Sequence, residues 1–174
     1  MKVVFGGREG NEGPLPSTIF TLTGMRDGML RGNHPATVDA KGRLKIPAAF
    51  LPDLRKQGDD FFVTSEDGDF AKLYPMKVWE EIEETLNKKP EHTPTRRKFL
   101  ARTSYFGHSV KADAQGRILL PSVLRDAADL TGEVVVLGTQ RHLEVWNRAR
   151  FVEKEIRGNA WTPEDDKNLG ELGI

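Results

Sequence analysis

Apolar and polar positions alternate with a period of two just after Gly42: Leu44 and Ile46 fall on one face of an extended segment, Arg43 and Lys45 on the other. The preceding Asp39-Ala40-Lys41-Gly42 is built for a type I turn, with Asp at the first position bonding its own backbone and Gly at the fourth free to take positive φ. Pro47 ends the strand and opens a short helix expected over Ala48 to Arg55. Further strands are expected around 61–64 and 70–74, then around 134–138 and 142–146, the last two rich in Val. Between these groups the period changes: Val78, Ile82 and Leu86 recur every four residues, with Trp79 alongside and Glu80, Glu81, Glu83 and Glu84 outside, which predicts an acidic amphipathic helix. A basic helix follows, with Thr93 as N-cap, Pro94 at its first position, and Arg96, Arg97, Lys98 and Arg102 along the run toward Tyr105.

The hairpin pattern occurs twice. Asp39-Ala40-Lys41-Gly42-Arg43-Leu44-Lys45-Ile46-Pro47 reappears 74 residues later as Asp113-Ala114-Gln115-Gly116-Arg117-Ile118-Leu119-Leu120-Pro121, with five of nine positions identical. His34 aligns with His108, and Phe61-Phe62-Val63 with Val135-Val136-Leu137. After a two-residue gap, Leu73-Tyr74 aligns with Val145-Trp146, and Trp79 with Phe151. Each half then reads strand, strand, helix, strand, strand, helix, the second of its two early elements being followed by Ala48–Arg55 or by Ser122–Ala128. Four strands and small helices cannot cover their own sheet, so the halves are expected to interlock around one core, related by an internal pseudo-twofold.

Composition narrows the function. The 174 residues are 37% hydrophobic and 30% charged, with 17 Gly and 10 Pro, a globular profile with enough apolar material for a core. No cysteine occurs, which excludes disulfides, thiolate metal sites and cysteine nucleophiles and fits a reducing cytoplasm. No apolar run approaches the ~20 residues that span a bilayer, so no membrane partner is expected. Charge sums to zero, 26 basic against 26 acidic, but it is segregated: residues 31–58 carry 6 basic and 2 acidic, 59–86 carry 2 and 9, 87–125 carry 9 and 2, and 126–174 carry 6 and 10.

Catalytic signatures are missing. No phosphate loop, dinucleotide fingerprint, zincin motif or nucleophile elbow appears. The four histidines stand apart at 34, 92, 108 and 142, and packing at a strand end explains His34 and His108 better than shared metal ligation. Asp39 and Asp113 form a formal carboxylate pair, yet turn bonding alone accounts for both. The expectation is no enzyme, no metal and no cofactor.

What the duplication offers instead is Asp-x-x-Gly-Arg on two related turns. An arginine on a short rigid hairpin can reach guanine O6 and N7 bidentately while lysines and backbone amides hold phosphates. Lys41, Arg43 and Lys45 cluster around the first copy, whereas Gln115 and Leu119 replace the two lysines in the second.

Met29-Leu30-Arg31-Gly32, both Asp-x-x-Gly-Arg motifs, and Val134-Val135-Val136-Leu137-Gly138 leading to Leu143-Glu144-Val145-Trp146 together resemble the MraZ family over about residues 29 to 157. The resemblance implies a β-rich α+β fold, two tandem AbrB/MazE-like halves interlocked into a pseudo-twofold swapped-hairpin barrel with short helices. It also implies a cytoplasmic, nucleoid-associated transcriptional regulator that assembles into a homo-oligomeric ring and binds direct repeats of double-stranded DNA in the promoter of the division and cell-wall gene cluster. The family motif falls on Asp39 and Arg43 and on Asp113 and Arg117. On the physical reading the arginines contact DNA, Asp39, Gly42, Asp113 and Gly116 shape the turns, and Lys41 and Lys45 are additional phosphate contacts. The implied organisation is a flexible extension over 1–28, a first repeat over 29–88, a second over 89–157 and a tail over 158–174, the tail holding a short helix capped by Thr162 with Pro163 at its first position. A second reading is an antitoxin-like DNA-binding and protein-interaction module; a third, a small barrel enzyme, requires Asp39 and Asp113 to act together.

Overall fold

The first strand, β1 (Leu30–Val38), finds its long partner not in its own half but in the other: it runs antiparallel to β7 (Gly132–Gln140) over its whole length, from Leu30 opposite Gln140 to Val38 opposite Gly132. The computed structural model describes residues 29–88 and 93–174; the expected extension over 1–28 and His92 lie outside them. The second half mirrors the exchange, β5 (His108–Lys111) pairing with β3 (Asp60–Thr64) of the first. At one end of the dyad β2 (Arg43–Lys45) meets β6 (Arg117–Leu119), and at the other β4 (Ala71–Pro75) meets β8 (His142–Asn147). Every pairing is antiparallel and the strand order is β5-β3-β4-β8-β7-β1-β2-β6. Because β5 and β6 are joined by the second hairpin turn, the sheet is a nearly closed barrel. The two halves share one fold, as the repeat predicts.

Period-two alternation fills the interior. Leu44 and Ile46, Phe61 and Val63, Ala71 and Leu73, Ile118 and Leu120, Val134 and Val136, and Leu143 and Val145 are all buried in a single core drawn from both halves. A second cluster, Tyr74, Val78 and Trp79, seats α2 (Met76–Asn87) on the outside of the sheet, with Trp79 stacked on Phe62 at 4.3 Å. Here α3 (Pro94–Phe106) joins it: Phe99 lies beside Trp79, the Thr64 hydroxyl donates to the Thr103 carbonyl at 2.7 Å, and Arg102 donates to the Glu66 carbonyl at 2.8 Å. The basic helix therefore packs against the acidic helix of its own chain.

The first short helix is displaced from its expected position. It runs over Leu51–Gln57 (α1) rather than from Ala48, and Pro52 is the reason. A helix begun at Ala48 would need an amide at residue 52 to bond back to residue 48, and proline has none; placed in the first turn the same residue costs nothing. Residues 47–50 form a separate turn closed by the Phe50 amide on the Pro47 carbonyl at 3.0 Å. Its counterpart α4 (Ser122–Ala127) lacks an internal proline and starts where expected. The second half closes with α5 (Arg148–Phe151) and a π-helical segment over Val152–Arg157. The tail helix α6 (Pro163–Glu171) is capped by Thr162, whose backbone and hydroxyl both donate to Asp165. No described helix is long and apolar enough to cross a membrane.

Candidate nucleic-acid interface

Both hairpin turns are built alike. The Asp39 carbonyl accepts from the Gly42 amide at 2.9 Å, and Asp39 Oδ1 accepts from the Lys41 and Arg43 amides, each at 2.9 Å. Asp39 Oδ2 accepts from Arg43 Nε at 2.8 Å. In the second turn Asp113 Oδ1 accepts from the Gln115 amide at 2.9 Å and the Arg117 amide at 3.0 Å, and Oδ2 from Arg117 Nε at 2.7 Å. Gly42 and Gly116 take φ of 78° and 72°, the left-handed conformation that the turn imposes and that glycine adopts without penalty.

The aspartates thus do more than the turn chemistry predicts. Each shapes its turn through one oxygen and grips its own arginine through the other, and the backbone amide of that arginine, with its side chain and the amide two residues on from the aspartate, holds the carboxyl below the usual carboxylate range. With Nε engaged, the two Nη groups of Arg43 and Arg117 make no hydrogen bond among the described residues, and the two side chains are 35% and 33% exposed. A guanidinium held at Nε loses less rotamer freedom when its outer edge binds.

Pairing of β2 with β6 sets the two turns side by side. Leu44 lies opposite Ile118, both buried, while Arg43 lies opposite Leu119 and Lys45 opposite Arg117 on the outer face. The turns are tied at both flanks, the Ile46 amide donating to the Gly116 carbonyl and the Leu120 amide to the Gly42 carbonyl, each at 2.9 Å. Lys45, which the sequence groups with Arg43, is therefore the cross-strand neighbour of Arg117. Lys41 remains on the first turn, exposed.

One side chain at this surface escapes sequence reasoning. The guanidinium of Arg125, on α4 of the second half, lies against Gly42 where a side chain at that position would have to be. At the equivalent place on the second turn, Leu51 of α1 covers Gly116. The repeat offset of 74 maps Leu51 onto Arg125, so the signal was present in the alignment but not in either motif.

Other candidates are not drawn in. His34 packs edge-on against Phe50 at 5.0 Å, while His108 is exposed with Nδ1 3.0 Å from the Gly107 carbonyl. Among the described residues no group of three or more His, Asp or Glu is arranged to hold a metal ion.

Comparison with known proteins places this geometry in a lineage. The model of the family described as "MraZ protein, putative antitoxin-like" matches residues 29–102 and 107–159. A protein of Acidobacterium capsulatum named transcriptional regulator MraZ is 48% identical over 147 residues, 84% of this chain and 100% of that protein. Its namesake from Koribacter versatilis is 45% identical over 148 residues, again 84% and 100%, and one from a Marinomonas species is 37% identical over 125 residues, 71% of this chain and 83% of that protein.

Proposed function

The chain belongs to the MraZ family of transcriptional regulators, and from that premise we propose that it binds DNA sequence-specifically, recognising direct repeats in the promoter of the division and cell-wall gene cluster through its paired hairpins. The observation that carries this reading is the juxtaposition of two Asp–Arg turns of like hydrogen bonding across the Leu44–Ile118 pair. Each turn offers an arginine whose Nε is already held and whose outer edge is free, the form in which guanidinium addresses guanine O6 and N7. Lys41 and Lys45, exposed beside the two arginines, are the phosphate contacts, fixing register without reading sequence.

Repeated half-sites call for repeated readers. A homo-oligomer, closed as a ring, presents the hairpin pair of each subunit to successive repeats, so contacts that are modest singly add through effective concentration. A protein working in this way resides in the cytoplasm, on the nucleoid. The regulator reading is preferred to the antitoxin-like one because the relatives named above carry the regulator's name over their full or nearly full length.

Fluorescence anisotropy with a duplex taken from upstream of the protein's own gene cluster, against a scrambled duplex, tests it. The native duplex is expected to bind more tightly, and Arg43→Ala and Arg117→Ala each to weaken that preference by about 5- to 150-fold, the range of one bidentate base contact. Equal affinity for both duplexes, or unchanged binding by folded arginine variants, would refute the assignment.

A further inference from the structure

We propose that Arg125 is a DNA phosphate contact of the first hairpin, supplied by the helix of the second repeat, and that it makes the footprint of a single chain directional. This deepens the hairpin reading and rests on it. Three observations converge. The guanidinium of Arg125 lies directly on the Gly42 backbone, between Lys41 and the start of β2, at the surface the hairpins form. It makes no hydrogen bond or ion pair among the described residues, unlike the Arg43 and Arg117 guanidinia, each neutralised in part by its own aspartate. And the pseudo-dyad partner of Arg125 is Leu51, an apolar side chain that packs over Gly116 in the same manner.

A core-filling role does not explain this choice. Leucine seals the second turn at the symmetric position, so packing alone does not require a cation, and among the described residues no hydrogen bond or ion pair calls for one there. It gains once an anion is bound. Arginine suits phosphate through its planar fork of donors, and placement against backbone on one side leaves the opposite side to the ligand.

The consequence is an asymmetry that neither motif contains. The first turn carries Lys41, Arg43 and Arg125, whereas the second carries Gln115 and Arg117, with Lys45 reaching it from β2. The twofold that relates the backbones does not relate the charges. A symmetric reader matches an inverted repeat; a reader with one strong and one weak end has a polarity, which direct repeats can satisfy with every subunit in the same orientation.

The test uses the full-length protein and anisotropy over a salt series from 50 to 200 mM, with wild type, Arg125→Gln, Arg125→Leu and Arg125→Lys, and Arg43→Ala in parallel. Leucine is the residue that the structure already accommodates at the equivalent site, and circular dichroism checks that each variant is folded. Loss of one phosphate contact lowers the slope of log affinity against log salt by about 0.9 for each engaged chain, which at 0.1 M salt is about an eightfold weakening. Arg125→Gln and Arg125→Leu are expected to show both effects on native and scrambled duplexes alike, and Arg125→Lys to keep the wild-type slope. If the Arg125 variants match wild type while Arg43→Ala loses binding, the inference is overturned and the hairpin reading stands. Equal weakening by all three variants with the slope unchanged overturns it too, because Arg125 would then act by packing rather than charge. Unchanged binding by Arg43→Ala refutes the hairpin reading, and this inference falls with it.

Discussion

Leu44→Ala strikes the barrel where its halves cross. Leu44 is wholly buried opposite Ile118, and the two residues belong to different repeats yet to one core. Truncation removes three carbon groups at about 0.8 kcal/mol each, and the incompletely closed cavity raises the cost to about 3 kcal/mol. With a urea dependence of about 2 kcal/mol/M for a chain of this size, the unfolding midpoint falls by about 1.5 M. The informative part is where the fall is seen. Trp79 is stacked on Phe62 and lies beside Phe99, whereas Trp146 is stacked on Phe70 beside Phe151, so single-tryptophan proteins report two separate places in the fold. One set carries Trp146→Phe and Trp161→Phe, the other Trp79→Phe and Trp161→Phe, each with and without Leu44→Ala at one protein concentration. Interlocked halves require both probes to shift together by the same amount. A Trp146 transition left in place while the Trp79 transition moves would refute the shared core.

Two further predictions follow from the turns. Gly42 and Gly132 both have positive φ, 78° and 63°, but only Gly132 has open space around a new Cβ. Gly132→Ala should cost about 1–2 kcal/mol in thermal or urea unfolding and leave DNA affinity unchanged, whereas Gly42→Ala should cost at least as much and also weaken DNA binding by displacing Arg125. For acid sensitivity, Asp39 and Asp113 have folded pKa values below the ordinary carboxylate value, so each contributes stability that is present above that value and lost as pH falls through the lowered one. Asp39→Asn/Asp113→Asn should therefore have a lower Tm than wild type at pH 6 and a smaller gap at pH 3; a constant gap across that range would show that the carboxylate charges do not matter to the turns.

Much of the fold was legible because it is local or repeated. The Asp39 and Asp113 turns follow from residue chemistry alone, and α3 and α6 were announced by Thr93-Pro94 and Thr162-Pro163. Duplication supplied the interlocked architecture. What escaped depends on contacts between the repeats or on a local conflict of signals. Pro47 advertised a helix start that Pro52, five residues later, forbids. Sequence distance groups Lys45 with Arg43, but antiparallel pairing of β2 with β6 sets it beside Arg117. Arg125 is remote in sequence from the turn it touches, and only the symmetry relation to Leu51 points to it. The capture of Arg43 by Asp39 carries no sequence signal of its own, because the turn alone accounts for an aspartate at that position.

The long ladder between β1 and β7 also bears on how the molecule is made. Leu30 has as its partner Gln140, and Val38 has Gly132, so the first strand leaves the ribosome with no edge to pair with along its length until about a hundred further residues have followed. At 5–20 residues per second that wait is roughly 5–20 s, during which an unpaired strand stays open to chaperones or to other nascent chains. A shortened product ending before β7 has no barrel at all, rather than half of one. The first hairpin, anchored through β1, thus reaches its final position only after β7 has been made.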